Sequence, residues 1–331
     1  MSTLYLTEQY AYVKKHDDSL VVQLQDHTKR DIPLMKIDHV IVVGEITLTT
    51  PALTALLAQG AEICYLSERG DYRGRLSPPF SKNTFLRRRQ YAACADMERT
   101  LAVARWIVAG KLENQRTLLL RNNRKLADPE VAEAAAAIRR SISTVPSAAD
   151  LNSLRGVEGN GAASYFGAFA RLLRQDLGFT RRVRRPATDR VNALLGLAYT
   201  CLMNQVSAAI QTVGMDAYAG YLHAAQYARP SLALDLMEEF RPVIADSVVL
   251  TLINNRTIQA DDFEEELGTF RLTAAGRRHF YQQFEERLNT EIEHPVFGYR
   301  TTYRRCLELQ VRLLAKWLEG DIPAYPPFTV R

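Results

Sequence analysis

The residues best suited to chemistry lie in one segment, Asp216–Pro242, where a histidine precedes three acids. His223 is followed by Asp235, Glu238 and Glu239. Residues three and four apart share one face of a helix, so these carboxylates would lie side by side and repel. Because the neighbouring leucines must face a core, acids placed there favour a bound cation. A lone histidine, by contrast, is more often an ordinary core or surface residue.

A further acid, Glu158, stands in a glycine-rich stretch, Arg155–Phe169. Glycines beside an acid let a phosphate or a second helix come close. Taken alone, Glu158 is better explained as a carboxylate near the start of a helix, where the helix dipole favours it. One imidazole with two or three carboxylates suits magnesium or manganese better than structural zinc, and such ions serve phosphoryl transfer. The residues therefore allow a metal-dependent nuclease, but their spacing does not bring Glu158 to His223.

Positive charge is concentrated in the middle of the chain. Residues 79–186 contain twenty Lys and Arg against nine Asp and Glu, whereas residues 1–78 contain eight against ten and residues 187–331 fourteen against eighteen. Seventeen of those twenty cations are arginine, which suits bidentate phosphate contacts. Charge alone fits a polyanionic partner and solvated helix faces equally well. We expect four arginines to follow a phosphate backbone rather than decorate a linker: Arg181, Arg182, Arg184 and Arg185.

The first 78 residues have the composition of strands. β-Branched residues dominate Ser19–Leu24, Asp38–Thr49 and Ala61–Ser67, and turn-forming residues separate these runs. A short helix is predicted over Thr50–Gly60, because a proline stands at its start and a glycine at its end.

After residue 78 the apolar residues recur every three to four positions, which is typical of helices packed on a core. We predict an α+β fold with a small N-terminal β-rich domain over residues 1–78 and a larger all-α domain over residues 79–331. The acidic run Asp261–Glu266 is expected to be a solvated turn. The predicted helical segments are Phe85–Lys111, Leu112–Asn123, Asp189–Ala209, Asp216–Tyr227, Ser231–Ile253 and Thr273–Leu288.

Composition argues against several other classes of protein. Hydrophobic residues make up 47% and charged residues 24%, as in an ordinary soluble protein. The four cysteines have no C-x-x-C spacing, which argues against a zinc ribbon or a disulfide framework. There is no apolar run of eighteen residues and no signal-peptide pattern, so we expect a cytoplasmic protein without a membrane partner.

Five stretches of the chain resemble the universal CRISPR adaptation integrase family, and their character is most similar to subtype I-C. They occur in the family's order and span most of the predicted helical region. The glutamate stretch and the histidine stretch are highly specific when found together. The stretches are Ala109–Arg121, Arg155–Phe169, Asp189–Leu202, Tyr221–Pro242 and a weaker match over Arg271–Leu288.

The resemblance implies a metal site. In the family a glutamate, a histidine and a later acid bind one divalent ion, Mn²⁺ or Mg²⁺, and these residues correspond here to Glu158, His223 and Glu238. Asp235 would act with them, either as a further ligand or as a base behind the ligands. Glu239 is the less suitable neighbour.

The resemblance also implies an activity and partners. Such enzymes insert short foreign DNA fragments into a CRISPR array, where a 3′-hydroxyl of the fragment attacks a phosphodiester of the repeat. Nuclease activity would be the same chemistry with water. The expected partners are DNA, as incoming fragment and as CRISPR repeat, a second copy of the chain in a homodimer, and the small second adaptation protein.

Two other functions would explain parts of the sequence. A non-catalytic nucleic-acid-binding protein of the same fold would bind DNA without metal. A helical enzyme acting on a small phosphorylated substrate would have a deep apolar pocket and no salt-dependent affinity for DNA. Neither explains the ordered set of motifs.

Overall fold

The computed structural model of the protein describes residues 3–68, 70, 72–78, 83–183, 186–223 and 226–330. The chain folds into two compact units. The first consists of Met1–Phe80 with Leu272–Tyr281, and the second of Ser81–Arg271 with Gln282–Arg331.

The first unit is built on two four-stranded sheets. Its strands and helix are β1 (Thr3–Leu6), β2 (Tyr12–His16), β3 (Ser19–Gln23), β4 (Lys29–Pro33), β5 (His39–Val43), β6 (Thr47–Leu48), α1 (Thr50–Ala58), β7 (Glu62–Leu66) and β8 (Tyr72–Leu76). One sheet has the order β1-β5-β7-β8 and is parallel except for β8. The other has the order β4-β3-β2-β6 and is antiparallel except for β6. The predicted strands are confirmed as β3, β5 with β6, and β7, and the predicted helix as α1.

Both sheets and α1 share one hydrophobic core. Leu20, Val42, Leu56 and Ile63 come from different elements and are all fully buried in it. Their burial follows from the β-branched and leucine-rich composition of these segments, because side chains of alternate strand residues point to the same face.

The sequence did not place Leu272–Tyr281 with the N-terminal strands. In the structure Tyr281 stacks on Tyr5 with 4.6 Å between ring centroids. Arg278 forms an ion pair of 3.3 Å with Glu8. These contacts join residues far apart in the chain, so no local pattern marks them.

The helices that follow residue 81 confirm the predicted helical region, and acids begin several of them. The side chains of Asp96, Asp128, Asp150 and Asp189 accept backbone N–H groups at the starts of four successive helices. The helices are α2 (Thr84–Ala95), α3 (Met97–Leu126), α4 (Pro129–Thr144), α5 (Leu151–Phe169), α6 (Arg190–Val213), α7 (Ser231–Phe240), a π-helical turn (Arg241–Asp246), α8 (Ser247–Asn254), α9 (Ala274–Leu288) and α10 (Tyr303–Glu319).

The prediction that this region is all-α is wrong, because it also contains two short hairpins. They pair β9 (Phe263–Glu266) with β10 (Thr269–Leu272), and β11 (Glu291–Glu293) with β12 (Arg300–Thr302). Of the acidic run predicted as a turn, Asp261 and Asp262 lie in a 3₁₀ turn, and Phe263–Glu266 form a strand. Arg271 compensates its charge with contacts of 3.0 Å to Glu264 and to Glu266.

Within the described residues, one helix has the length and composition that could cross a membrane. It is α6, and 67% of its apolar window is buried inside the protein, as in the core helix of a globular unit.

We expect the first unit to depend on the core around Leu20. Leu20→Ala should lower the free energy of unfolding by about 2–5 kcal/mol, because a cavity replaces a fully buried side chain. Met35→Ala is the control, since Met35 is 89% exposed, and it should change stability by less than about 0.5 kcal/mol. Urea unfolding followed by circular dichroism measures both, and equal effects would contradict the position of this core.

Candidate active site

Three helices bring two carboxylates and an ammonium together. Lys111 in α3 pairs with Glu158 of α5 and, at 2.7 Å from Nζ to Oε2, with Glu238 of α7. The side chains of Lys111 and Glu238 are 6% and 4% exposed, whereas that of Glu158 is 25% exposed. Charges buried to this degree persist only when each is compensated. Two of the acids predicted for the site thus lie on either side of one cation.

Close packing of α3 on α5 makes this arrangement possible. Gly161 is buried nearly one turn after Glu158, and a Cβ there would overlap with the side chain of Leu112. Because Leu112 directly follows Lys111, a larger residue at position 161 would displace the Leu112 side chain next to the site. Of the glycines near Glu158, Gly161 admits the second helix, whereas a Cβ at Gly156 or Gly159 would meet nothing within 4 Å. The alternative that Glu158 is a helix-start carboxylate is wrong, since Asp150 caps α5 and Glu158 lies in its interior.

His223 faces Glu238, and Asp235 holds its ring from behind. Nδ1 of His223 lies 2.7 Å from Asp235 Oδ1, and Nε2 lies 3.9 Å from Glu238 Oε1. Asp235 is fully buried and also accepts the backbone N–H groups of Tyr221, Leu222 and His223. An ionised carboxylate only accepts hydrogen bonds, so we infer that Nδ1 carries the proton of the neutral ring. Nε2 then presents its lone pair towards Glu238.

The segment that carries His223 is a loop wrapped on Asp235. The prediction of a helix over Asp216–Tyr227 is wrong, because residues 216–223 and 226–227 contain none. Three successive amides that donate to one carboxylate cannot also make helical hydrogen bonds. Gly220 allows the close approach, since a Cβ there would lie 2.6 Å from the Ser231 carbonyl carbon and 2.8 Å from Asp235 Oδ2. Of the two roles that the sequence left open for Asp235, this geometry is that of the residue behind the ligands.

Glu238 has a second cationic partner, Arg241. One guanidinium nitrogen of Arg241 lies 2.5 Å from Glu238 Oε1, and the group stacks 4.1 Å from the ring centroid of Tyr199. Asp246 accepts hydrogen bonds from Tyr199 at 2.6 Å and from Tyr165 at 2.7 Å. This buried chain of contacts fixes Arg241 against Glu238.

The surrounding cations decide the charge of Glu238. Burial alone would raise its pKa, but the charges of Arg241 and Lys111 outweigh burial and hold the pKa of Glu238 far below its ordinary value. Glu238 is therefore an ionised carboxylate at neutral pH, as a metal ligand must be.

Glu239 points away from these groups, towards the C-terminal tail. Its carboxyl accepts a hydrogen bond from the Tyr325 hydroxyl at 2.9 Å and from the Phe328 amide at 2.7 Å. Burial raises the pKa of Glu239 to about 8. Its role is to hold the tail, in agreement with the prediction that it is the less suitable ligand.

The donor set suits a divalent cation, although Glu158 meets Glu238 only through Lys111. Among the described residues, Glu238 Oε2 accepts no hydrogen bond of normal geometry, even with the Lys111 ammonium 2.7 Å away. In the same residues no three His, Cys, Asp or Glu side chains are already placed to hold one ion. The Lys111 ammonium occupies the position where the two carboxylates require positive charge. By the chemistry of its donors, one imidazole nitrogen with carboxylate oxygens, the set fits Mg²⁺ or Mn²⁺.

The structure describes two of the four arginines that were predicted after α5, Arg181 and Arg182. Arg181 is exposed. Arg182 donates to Asn192 Oδ1 at 2.7 Å and stacks 5.2 Å from the ring centroid of Tyr199, so it packs on α6. Arg184 and Arg185 lie outside the described residues. Contact of these arginines with DNA stays a prediction.

Two cations of the site, Lys111 and Arg241, were not among the predicted site residues. Lys111 is a charged residue within a buried apolar stretch of α3. A charged residue among apolar neighbours was also the pattern that pointed to Asp235, Glu238 and Glu239. Arg241 follows Glu238 by three residues, a spacing typical of ion pairs. Both signals were present in the sequence.

Known proteins resemble this chain over its whole length. The family model for CRISPR associated protein Cas1 matches residues 4–286. The CRISPR-associated endonuclease Cas1 3 of Thermus thermophilus is 39% identical over 335 residues, which cover 100% of this chain and 98% of that protein.

Two solved structures share the fold. The structure of a casposase bound to an integration product matches with a TM-score of 0.88 at 24% identity, covering 98% of this chain and 93% of that chain. A chain of a Cas6-RT-Cas1–Cas2 complex matches with a TM-score of 0.80 at 26% identity, covering 100% of this chain and 36% of that chain. Because the family model spans most of the chain and the Thermus relative matches it throughout, the protein belongs to the CRISPR-associated Cas1 family.

Proposed function

We propose that this protein is a metal-dependent enzyme that cuts and joins DNA and inserts short DNA fragments into a CRISPR array. The observation that carries the proposal is the pairing of Glu158 and Glu238 with one cation, beside the Nε2 atom of His223. Family membership supports it, since the Thermus relative is named an endonuclease.

Glu158, His223 and Glu238 would hold one Mn²⁺ or Mg²⁺ ion. When bound, the ion would polarise the attacked phosphodiester and neutralise the charge that develops on it. Asp235 keeps the Nε2 lone pair of His223 turned towards Glu238. Arg241 adds a fixed positive charge beside the site, which favours the approach of a phosphate.

The proposed reaction is a transesterification. A 3′-hydroxyl of the DNA fragment loses its proton and attacks a phosphorus atom at the edge of the repeat, and a new P–O bond forms. The bond from that phosphorus to the 3′-oxygen of the repeat strand breaks, and the departing oxygen takes up a proton. Water in place of the 3′-hydroxyl would give hydrolysis, and the reverse transfer would release the inserted fragment.

We further propose that the protein acts as a homodimer together with the small second adaptation protein, in the cytoplasm, in a subtype I-C system. The solved chain of the Cas6-RT-Cas1–Cas2 complex, which matches at 26% identity, supports a partner of this kind. The basic residues 79–186 would provide much of the DNA contact through phosphates rather than bases.

The ligand assignment is tested by strand transfer of a short duplex with free 3′-hydroxyls into a repeat-containing plasmid, with Mn²⁺ and the partner protein. We expect Glu158→Gln, His223→Ala and Glu238→Gln each to slow transfer by at least about 100-fold, because each removes one donor to the ion. Glu113→Gln is the control, since this residue of α3 is 41% exposed and pairs only with Arg116 among the described residues.

The same assay separates the enzyme from a binding protein. Variants that fail to join DNA yet still bind it support the proposal, and chelation of Mn²⁺ should stop wild-type transfer. Variants that join DNA as fast as wild type would show that the site is elsewhere. A wild-type protein that is inert beside an active partner but binds DNA with or without metal would be a non-catalytic DNA-binding protein.

Asp235→Asn tests the positioning of His223. An amide cannot accept the ring proton and three backbone N–H groups together, so the imidazole should lose its fixed orientation. We expect the Mn²⁺ concentration for half-maximal transfer to rise about 10–100-fold, with partial recovery of the rate at saturating Mn²⁺. Glu239→Gln, which alters the neighbouring acid that holds the tail, should leave the Mn²⁺ dependence unchanged. An unchanged Mn²⁺ dependence in Asp235→Asn would contradict the positioning role.

Lys111→Met tests whether the ammonium compensates the two acids in place of an ion. Without metal, the variant should lose about 3–5 kcal/mol of stability, because a buried ion pair has lost one partner. Added Mn²⁺ should then stabilise Lys111→Met more than wild type, as measured by urea unfolding with EDTA or with Mn²⁺. The exposed Lys125→Met is the control and should respond to Mn²⁺ as wild type does. Equal Mn²⁺ effects in Lys111→Met and wild type would contradict this role.

A further inference from the structure

A concave site lies in the helical unit and shares α3 and the π-helical turn with the surroundings of the candidate active site. This cavity has a volume of about 250 Å³. Its lining includes Asn114 of α3, which lies about one turn after Lys111, and Pro242 of the π-helical turn, which directly follows Arg241. We call it the arginine cavity, after three of its lining residues, Arg121, Arg174 and Arg287.

The charge of the arginine cavity is of one sign. Its lining includes the three arginines with asparagines, threonines and Ser247, and no carboxylate among the described residues that form it. Within the described residues neither Arg174 nor Arg287 makes an ion pair. A concave site that holds several guanidinium groups and no acid attracts an anion.

Arg287 shows that this positive charge is held in place. Its Nε donates to the Val243 carbonyl at 2.7 Å, and its guanidinium stacks 4.5 Å from the ring centroid of Tyr303. Burial lowers the pKa of Arg287; the interaction with Tyr303 opposes this shift, and the charge of Arg121 adds to it. A guanidinium fixed by a carbonyl and a ring, with a like charge nearby, is stabilised by any anion that reaches it.

The size of the cavity limits the anion. Pockets for drug-sized ligands have volumes of roughly 300–1,000 Å³, so this one takes a smaller group. A phosphate monoester carries about −1.5 to −2 charges and three acceptor oxygens, which matches several guanidinium groups better than a phosphodiester does. A strand that ended here would place a single terminal phosphate among the arginines.

We propose that the arginine cavity binds the terminal 5′-phosphate of a DNA strand. The choice of DNA, rather than another phosphate ester, rests on the proposed function. The cavity would then hold the end of one strand on the elements that also carry Lys111 and Arg241.

The test is binding of a short single strand, labelled at its 3′ end, by fluorescence anisotropy in EDTA. The full chain is compared with a 5′-phosphorylated and a 5′-hydroxyl strand of the same sequence. We expect the phosphate to raise the affinity about tenfold in wild type, as charge-assisted hydrogen bonds would. This increment should disappear in Arg174→Gln and in Arg287→Gln. It should persist in Arg139→Gln, which removes one exposed arginine of α4 outside the cavity.

Arg174 is exposed, so Arg174→Gln tests the cavity even if Arg287→Gln were to unfold. Equal affinity of wild type for the two strands would overturn the proposal, and so would an equal loss of the increment in Arg139→Gln. A free nucleotide, deoxyadenosine 5′-monophosphate, should compete far more weakly than the phosphorylated strand. Competition at equal concentration would assign the cavity to free nucleotides instead.

The phosphate increment is measured without metal and without strand transfer. Loss of transfer in Glu158→Gln with the increment intact therefore leaves the cavity assigned. If wild type carries out normal strand transfer but binds both strands with equal affinity, the cavity does not bind the 5′-phosphate, and the proposed function is unaffected.

Discussion

Burial of three acids on one short helix is the constraint on which the helical unit depends. Asp235, Glu238 and Glu239 of α7 are 0%, 3% and 0% exposed. Carboxylates at such depth must be neutralised, paired or fully hydrogen-bonded. Each acid meets this requirement differently: the first through backbone amides and an imidazole, the second through two cations, and the third through a hydroxyl and the tail.

The contacts that compensate these three acids determine which distant parts of the chain surround α7. Asp235 holds the loop of His223 against α7 by accepting three of its backbone N–H groups. Glu238 forms an ion pair with Lys111 of α3, and Lys111 also pairs with Glu158 of α5. Glu239 fixes the tail through Tyr325 and Phe328. Glu158 and Glu238 come together because both acids must be compensated, and the residue between them is the cation Lys111.

Local patterns predicted the elements well, and non-local contacts account for the errors. Strand β3 and helix α6 follow from composition and spacing over a few turns of chain, so they were predicted correctly. The loop over Asp216–Tyr227 has apolar residues at helical spacing. Its backbone amides donate to Asp235 instead of forming a helix, and the sequence of the loop itself gives no sign of this. The strands of the two hairpins have only three or four residues, which is too short to show an alternation of apolar and polar residues. The resemblance pointed to Glu158, His223 and Glu238. Spacing in the sequence could not bring Glu158 to this site, because its connection to Glu238 runs through Lys111 of α3.

The most direct test of the central claim is a crystal structure of the protein soaked in Mn²⁺, with diffraction recorded at the manganese absorption edge. We expect one anomalous peak per chain, within coordination distance of Glu158, His223 Nε2 and Glu238, with the Lys111 ammonium displaced from between the two acids. A peak bound by other residues, or none at a Mn²⁺ concentration that supports strand transfer, would contradict the assignment of the metal to these residues.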